Sequence, residues 1–206
     1  MGFYSNHIFP HLMDRALSRP AVQRMRTEAL AYVAGEILEI GFGTGLNLEC
    51  YPGSVEQITA VDPNFHMMRL ASQRVKNSRI HVDFQNLSAE KMPFPSEAFE
   101  TVVSTWTLCN ISRIHQALEE VHRVLKKNGR FVFLEHGRSP DKAIQFWQRV
   151  FKPLFNAGGD GCHLDREVNS LIEGQRFAFE RLKCFYLEAT PRIAGFVYTD
   201  VAVKRL

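Results

Sequence analysis

The sequence predicts an α/β domain: a mostly parallel sheet of seven strands with helices on both faces and a helical addition at the N-terminus. Three observations carry that expectation. From residue 36 onward, short apolar or β-branched runs alternate with stretches of helical periodicity. A glycine-rich turn follows the first of those runs. A chain of 206 residues with 45% hydrophobic content suits one core and leaves little room for a second. The expected layout is one domain over residues 1–206, with a helical lid over 1–33, the sheet core over 34–137 and the remaining helices and strands over 138–206.

In order along the chain, residues 8–33 read as helix interrupted near Pro20, with Ile8, Leu12, Leu17, Val22 and Leu30 among charges. Residues 36–40 alternate into a short strand, and 46–51 open a helix that Pro52 and Gly53 soon stop. Residues 58–61 form a second strand ending on Asp62, residues 63–75 carry Phe65, Met68, Leu70 and Ala71 at helical spacing, and 80–84 form a third strand. After a polar passage, Thr101, Val102, Val103 and Ser104 have the β-branched character of a buried strand. Residues 112–127 give the clearest helix, with Ile114, Leu118, Val121 and Leu125 on one face and Asn128-Gly129 ending it. A fifth strand fills 131–134, helices fill 143–155 and 167–173, and late strands fill 177–187 and 193–203. In a sheet of this kind ligands sit beyond the carboxyl ends of the strands, where strand order reverses. Gly41 to Gly45 and Asp62 fall on that rim.

Composition narrows the function classes. A net charge of +3 does not indicate nucleic acid, and the cluster Arg15, Arg19, Arg24 and Arg26 reads as a solvated helix face, with contact to an anionic substrate or membrane surface as the other reading. Cys50, Cys109, Cys162 and Cys184 are far apart and form no CxxC pair, so neither a metal knuckle nor a disulfide framework is expected, and a reducing cytoplasm fits. No apolar run approaches the roughly 18 residues of a membrane span, and no signal pattern opens the chain. The start misses the myristoylation pattern because residue 6 is Asn6.

The stretch GEILEIGFGTGLNLECYP packs three glycines into five positions. A dinucleotide fingerprint needs G-x-G-x-x-G, but Leu46 stands at the sixth place, and no lysine follows for a triphosphate loop. What stands here is Glu39-Ile40-Gly41-Phe42-Gly43-Thr44-Gly45, which resembles the first motif of the class I methyltransferases that use S-adenosylmethionine. That cofactor carries an ammonium and a sulfonium rather than a pyrophosphate, so a carboxylate at Glu39 suits it where a dinucleotide site needs anion-binding amides. The glycines admit main chain close to the cofactor, alongside Phe42 and Thr44. Asp62 can accept from both ribose hydroxyls. Pro63 to Met67 resemble the family's D-x-x-x-x-M pattern, with Met67 on the adenine ring. Ser88-Ala89-Glu90-Lys91-Met92-Pro93-Phe94 resembles its D-A-E-x-L-P-F segment, with Ser88 in place of the aspartate that binds the adenine amine, and Thr105 closes the cofactor set. The resemblance covers about residues 36–137 and implies a Rossmann-like fold and S-adenosylmethionine as cofactor. More narrowly, Cys109 in TLCNI, Glu135-His136 and FWQRVFKPLFNAGGDGCHLDRE are similar to the membrane-associated alkyl-thiol methyltransferases, which begin with a hydrophobic anchor that is not expected here.

Methyl transfer from a sulfonium is an in-line displacement that needs positioning and exclusion of water, and no metal is expected. A neutral nucleophile must still lose its proton, and His136, after the fifth strand, is the candidate base. Trp106 and Cys109, just after the fourth strand, are candidate pocket walls, the indole face being able to attract a cation. Residues 158–163 read as a lid loop. The expected acceptor is small and mostly apolar, carrying a thiol, amine or hydroxyl. The alternatives are a phospholipid-amine or quinone methyltransferase at a membrane surface and a non-catalytic cofactor-binding module. Ser104-Thr105-Trp106-Thr107 lacks the Asn/Asp-Pro-Pro-aromatic turn of an adenine-amine methyltransferase.

Overall fold

The computed structural model describes residues 7–159 and 161–205. The N-terminal myristoylation reading and Asp160 of the lid loop fall outside them. Two helices, α1 (Phe9–Leu17) and α2 (Pro20–Leu30), precede the sheet and are split where Pro20 fixes the first turn of α2. The strands are β1 (Ile37–Ile40), β2 (Gln57–Val61), β3 (His81–Gln85), β4 (Phe99–Thr105), β5 (Leu125–His136), β6 (Phe177–Phe179), β7 (Lys183–Tyr186) and β8 (Phe196–Lys204). Between them run α3 (Phe65–Asn77), α4 (Ile114–Val124), α5 (Lys142–Gly158) and α6 (Val168–Glu173).

Strand order is β3-β2-β1-β4-β5-β8-β6, parallel from β3 to β5, with β8 antiparallel to β5. The chain runs outward from β1 through β2 to β3 and then returns to β4 on the other side of β1, so the crevice lies between the carboxyl ends of β1 and β4. The expected α/β sheet is therefore present, with one refinement. The strand expected over residues 177–187 is two pieces, β6 and β7, both antiparallel to β8. Phe179 pairs with Ala202 and Lys183 with Thr199, so the edge carries one extra residue. The Asp200 carboxylate fills the break by accepting from Arg181 N at 2.6 Å.

Side-chain alternation along the central strands divides the core between the two faces. Val102, Phe131 and Phe133 pack on one side with Leu118, Val121 and Val124 of α4, whereas Val103, Val132 and Leu134 pack on the other with Val22 and Leu30 of α2. Helix α4 ends at Val124, short of the expected residue 127, because Leu125 already pairs with Phe99 as strand. No α-helix forms over residues 46–51. Leu48 N donates to Gly45 O and Cys50 N to Asn47 O, single turns that Pro52 closes before a helical ladder can propagate. Helix α5 leaves Phe146, Trp147, Val150, Phe151 and Leu154 exposed on one face. No helix among the described residues is long and apolar enough to cross a membrane.

Burial separates two leucines that a sequence scan treats alike. Leu118→Ala, in the fully buried seam of α4, should lower unfolding free energy by about 2–5 kcal/mol. Leu154→Ala, on the exposed face of α5, should change it by less than about 0.5 kcal/mol. Urea midpoints at constant m would check both.

Candidate active site

The turn after β1 places Gly41, Gly43 and Gly45 at φ of +70°, +56° and +77°, a region closed to most side chains. Their roles nevertheless differ. A Cβ on Gly41 would collide with the Thr107 side chain, and one on Gly45 would come within 3.3 Å of Phe42. A Cβ on Gly43 would meet nothing nearer than Gly41 O at 3.9 Å. Only Gly43 therefore holds open space for a ligand; Gly41 admits Thr107, and Gly45 serves packing and does not line the cavity. The expectation placed all three glycines against the cofactor; the open space for a missing Cβ is at Gly43.

The cavity on this rim has a volume of about 670 Å³, within the range of small-molecule sites. It brings together Glu39, Gly41, Phe42, Gly43, Thr44, Asp62, Pro63, Met67, Ser88, Ala89, Thr105, Trp106, Cys109 and His136. Of the residues expected from sequence, Gly45 alone is left out. Asp62 Oδ2 accepts from Gly43 N at 2.9 Å and Oδ1 from Asn64 N at 2.8 Å, which fixes the carboxylate on the cavity rim. Ser88 Oγ accepts from Glu90 N at 3.2 Å, while Glu90 accepts from Arg113 N and Nε at the start of α4. The glutamate of that segment thus holds α4.

At the opposite wall, Glu39 accepts from Asn47 Nδ2 at 2.9 Å and Tyr51 Oη at 2.7 Å. Burial pushes its carboxyl up to about 7, although Tyr51, Asn47 and Arg26 counter the shift. Arg26, only 3% exposed, is not on a solvated face. It shares the buried side of α2 with Val22, Ala29 and Leu30, a spacing visible in the sequence that its charge argued against. Its Nη1 donates to Asn47 Oδ1 at 2.5 Å and Thr105 Oγ1 at 2.9 Å, whereas Nε is buried without a hydrogen-bond partner among the described residues. Burial brings the guanidinium down to about 10, with Glu39 opposing. The guanidinium also stacks over Trp106, 4.8 Å from the ring centroid, so Arg26 takes up the cation attraction of the indole face.

Helix α1 roofs the cavity with Phe9, Met13 and Leu17. Asp14 ties it down by accepting from Thr44 Oγ1 at 2.6 Å and Arg74 Nη1 at 2.7 Å. Across the cavity, the end of β5 and two loops bring His136, Cys109 and Cys162 together, Cys162 Sγ lying 3.3 Å from His136 Nε2. The cysteines are free thiols, yet two that are remote in sequence share one wall, and Cys162 was missed. Its thiol is held low, first by the Cys109 thiol that donates to it and then by His136, although burial opposes. His136 is correspondingly raised by Cys162 against its burial. The residues fit an S-adenosylmethionine-sized ligand: an orphaned buried guanidinium nitrogen, a carboxylate beside it, a glycine with open space and a second carboxylate at the next strand end.

The Methyltransferase domain family matches residues 38–133. Thiol S-methyltransferase TMT1B of Rattus norvegicus is 34% identical over 71% of this chain and 62% of its own length; that of Homo sapiens is 32% identical over 82% and 75%. The chain thus spans less than two thirds of the rat protein. Among solved structures, YcgJ of Bacillus subtilis superposes with a TM-score of 0.69 at 18% identity, over 90% of this chain and 98% of YcgJ, a likeness of fold. The strand order, the acidic residue with its glycine turn and these matches converge: the chain belongs to the class I methyltransferases, the family that uses S-adenosylmethionine.

Proposed function

We propose that the cavity holds S-adenosylmethionine between Arg26–Glu39 and Asp62–Met67, and that the protein transfers its methyl group to a small, mostly apolar acceptor at the Cys109–His136–Cys162 end. The observation that carries this reading is the buried Arg26 beside Glu39. An α-amino acid end needs a cation and an anion side by side, and Arg26 and Glu39 both line this wall of the cavity. Asp62 would accept from the ribose hydroxyls, with Gly43 leaving room for the sugar. Met67, Pro63 and Ala89 would flank the base, and Ser88 would stand where its amine lies. When bound, the cofactor supplies an electrophilic methyl on a cationic sulfur. The chain's task is to place a nucleophile in line behind that methyl, exclude water with α1 and dispose of a proton. His136 is the titratable ring on the acceptor wall, and any proton it takes is shared with Cys162.

A thiol is the first acceptor, supported by the names of the relatives and by the apolar walls; amines and hydroxyls follow. A second reading, methylation of a lipid amine or quinone at a membrane surface, is favoured by the exposed apolar face of α5. Four free thiols fit a reducing, cytoplasmic setting.

The acceptor class is tested by a screen of thiols, amines, phenols, quinones and phospholipids with methyl-labelled cofactor. Transfer to small thiols is the expected result. Transfer confined to phospholipid vesicles would favour the second reading, and transfer confined to RNA or protein would remove both. Arg26→Gln should weaken S-adenosylmethionine binding by about 10–100-fold in calorimetry, the worth of lost charge-assisted bonds. Glu39 sets a pH dependence whose sign follows from its position. Its carboxyl titrates at about 7 in the ligand-free protein, and a neighbouring ammonium favours the ionised form, so binding expels a proton below that pH. Affinity should therefore rise by up to about tenfold per pH unit between about pH 5 and 7 and level off above. Glu39→Gln should abolish the slope.

A further inference from the structure

We propose that Cys109, His136 and Cys162 form a binding site for a soft-to-borderline divalent cation, zinc foremost, whose fourth coordination position faces the cavity. Their three ligand atoms lie within 4.8 Å of one another, and Cys162 Sγ is 3.3 Å from His136 Nε2. A tetrahedral zinc with sulfur at about 2.3 Å and nitrogen at about 2.0 Å sets its ligands roughly 3.5–3.8 Å apart, so side-chain adjustments of about an ångström close the site. Two thiolates and an imidazole select against calcium and magnesium, which take oxygen ligands. Three protein ligands with one position open is the pattern of a catalytic zinc rather than a sealed structural one.

The three residues come from distant elements, yet backbone bonds hold them in place before any ion arrives. His163 N donates to Cys109 O at 3.0 Å, Asn110 Nδ2 to Gly159 O at 2.8 Å and Cys162 N to Gly159 O at 3.1 Å. His136 is fixed by the pairing of β5 with β8 at Val197. Cys109 Sγ also lies 2.7 Å from Asn110 Oδ1, a contact the ion would replace. Charge also balances: two thiolates neutralise a dication, while the neighbouring Arg166 and Glu135 offset each other. All three residues have little exposure and line the same cavity, so the open position faces that cavity.

Combined with the proposed methyl transfer, on which this consequence rests, the ion changes how the acceptor loses its proton. An acceptor thiol that fills the fourth position gives its proton to solvent and binds as thiolate. Its sulfur then forms the new bond to methyl as the cofactor's carbon–sulfur bond breaks. The thioether product, a weaker donor, leaves the ion. His136 acts through the ion rather than as a free base.

The test uses the full chain, stripped with a chelator and reduced with a phosphine, and titrated with cobalt(II). The expected result is one equivalent bound, with thiolate-to-cobalt charge transfer in the ultraviolet and tetrahedral bands in the visible, both bleached by zinc. Cys109→Ser and Cys162→Ser should each weaken cobalt binding by more than the roughly 10–100-fold that loss of an outer-shell partner costs. Cys184→Ser, exposed and outside the cavity, should leave it unchanged. A measurement on the unmutated protein guards against misfolded variants: zinc should protect Cys109 and Cys162 from alkylation, mapped by mass spectrometry, and leave Cys184 reactive. Absence of charge-transfer bands in protein that still binds S-adenosylmethionine, or protection that spares these two cysteines, would overturn the site. Cobalt bands without thiol methylation would keep the site and remove the acceptor reading, whereas chelator-insensitive methylation without such bands would do the reverse.

Discussion

The Glu135 carboxylate, fully buried at the end of β5, accepts from Ser104 Oγ at 2.7 Å, Thr107 N at 3.0 Å and Leu108 N at 3.1 Å, and the arrangement of the site follows from those bonds. They clamp the turn leaving β4 onto β5, with Trp106 held at φ +50°. Thr107 is thereby pressed against the glycine turn, which is why position 41 admits no Cβ. Cys109 is carried to the cavity wall by the same turn. Burial raises the Glu135 carboxyl, and the donors that converge on it oppose the shift, so a costly charge becomes a fixed hinge point. Loss of one acceptor here would free the turn and with it both ends of the cavity.

The two ends differ in electrostatic character. At one, Arg26, Glu39, Asn47, Thr105 and Tyr51 form a buried hydrogen-bonded network that holds a guanidinium near a carboxyl, where misplacement is expensive. At the other, sulfur and imidazole stand among Leu164 and Phe155, a soft surface with little fixed polarity. A ligand spanning both must be zwitterionic at one end and apolar or thiophilic near the other.

The sheet was legible because its strands are short, β-branched and separated by local stop signals; the glycine turn and Glu39 were singled out by their resemblance to the family's first motif, and Asp62 by its place at the next strand end. Arg26 was missed for a different reason. Charge argued for solvent, while the recurrence of Val22, Arg26, Ala29 and Leu30 on one helical face argued for burial, and only tertiary packing decides between the two. The split of the edge strand depends on Asp200 in a different strand, and the meeting of Cys109 with Cys162 depends on a loop docking across the sheet. Neither leaves a local trace. Residues 46–51 make only single turns, because Pro52 follows too soon for a helical ladder to propagate.

The chain has two tryptophans, and the fold gives them opposite settings. Trp147 lies on the exposed face of α5 beside Phe146 and Phe151. Trp106 is half-buried against Arg26 in the cavity wall. Any ligand that draws on the guanidinium alters the field across one indole and leaves the other untouched, so the protein's own emission contains an internal reporter and an internal standard for occupancy of the cavity.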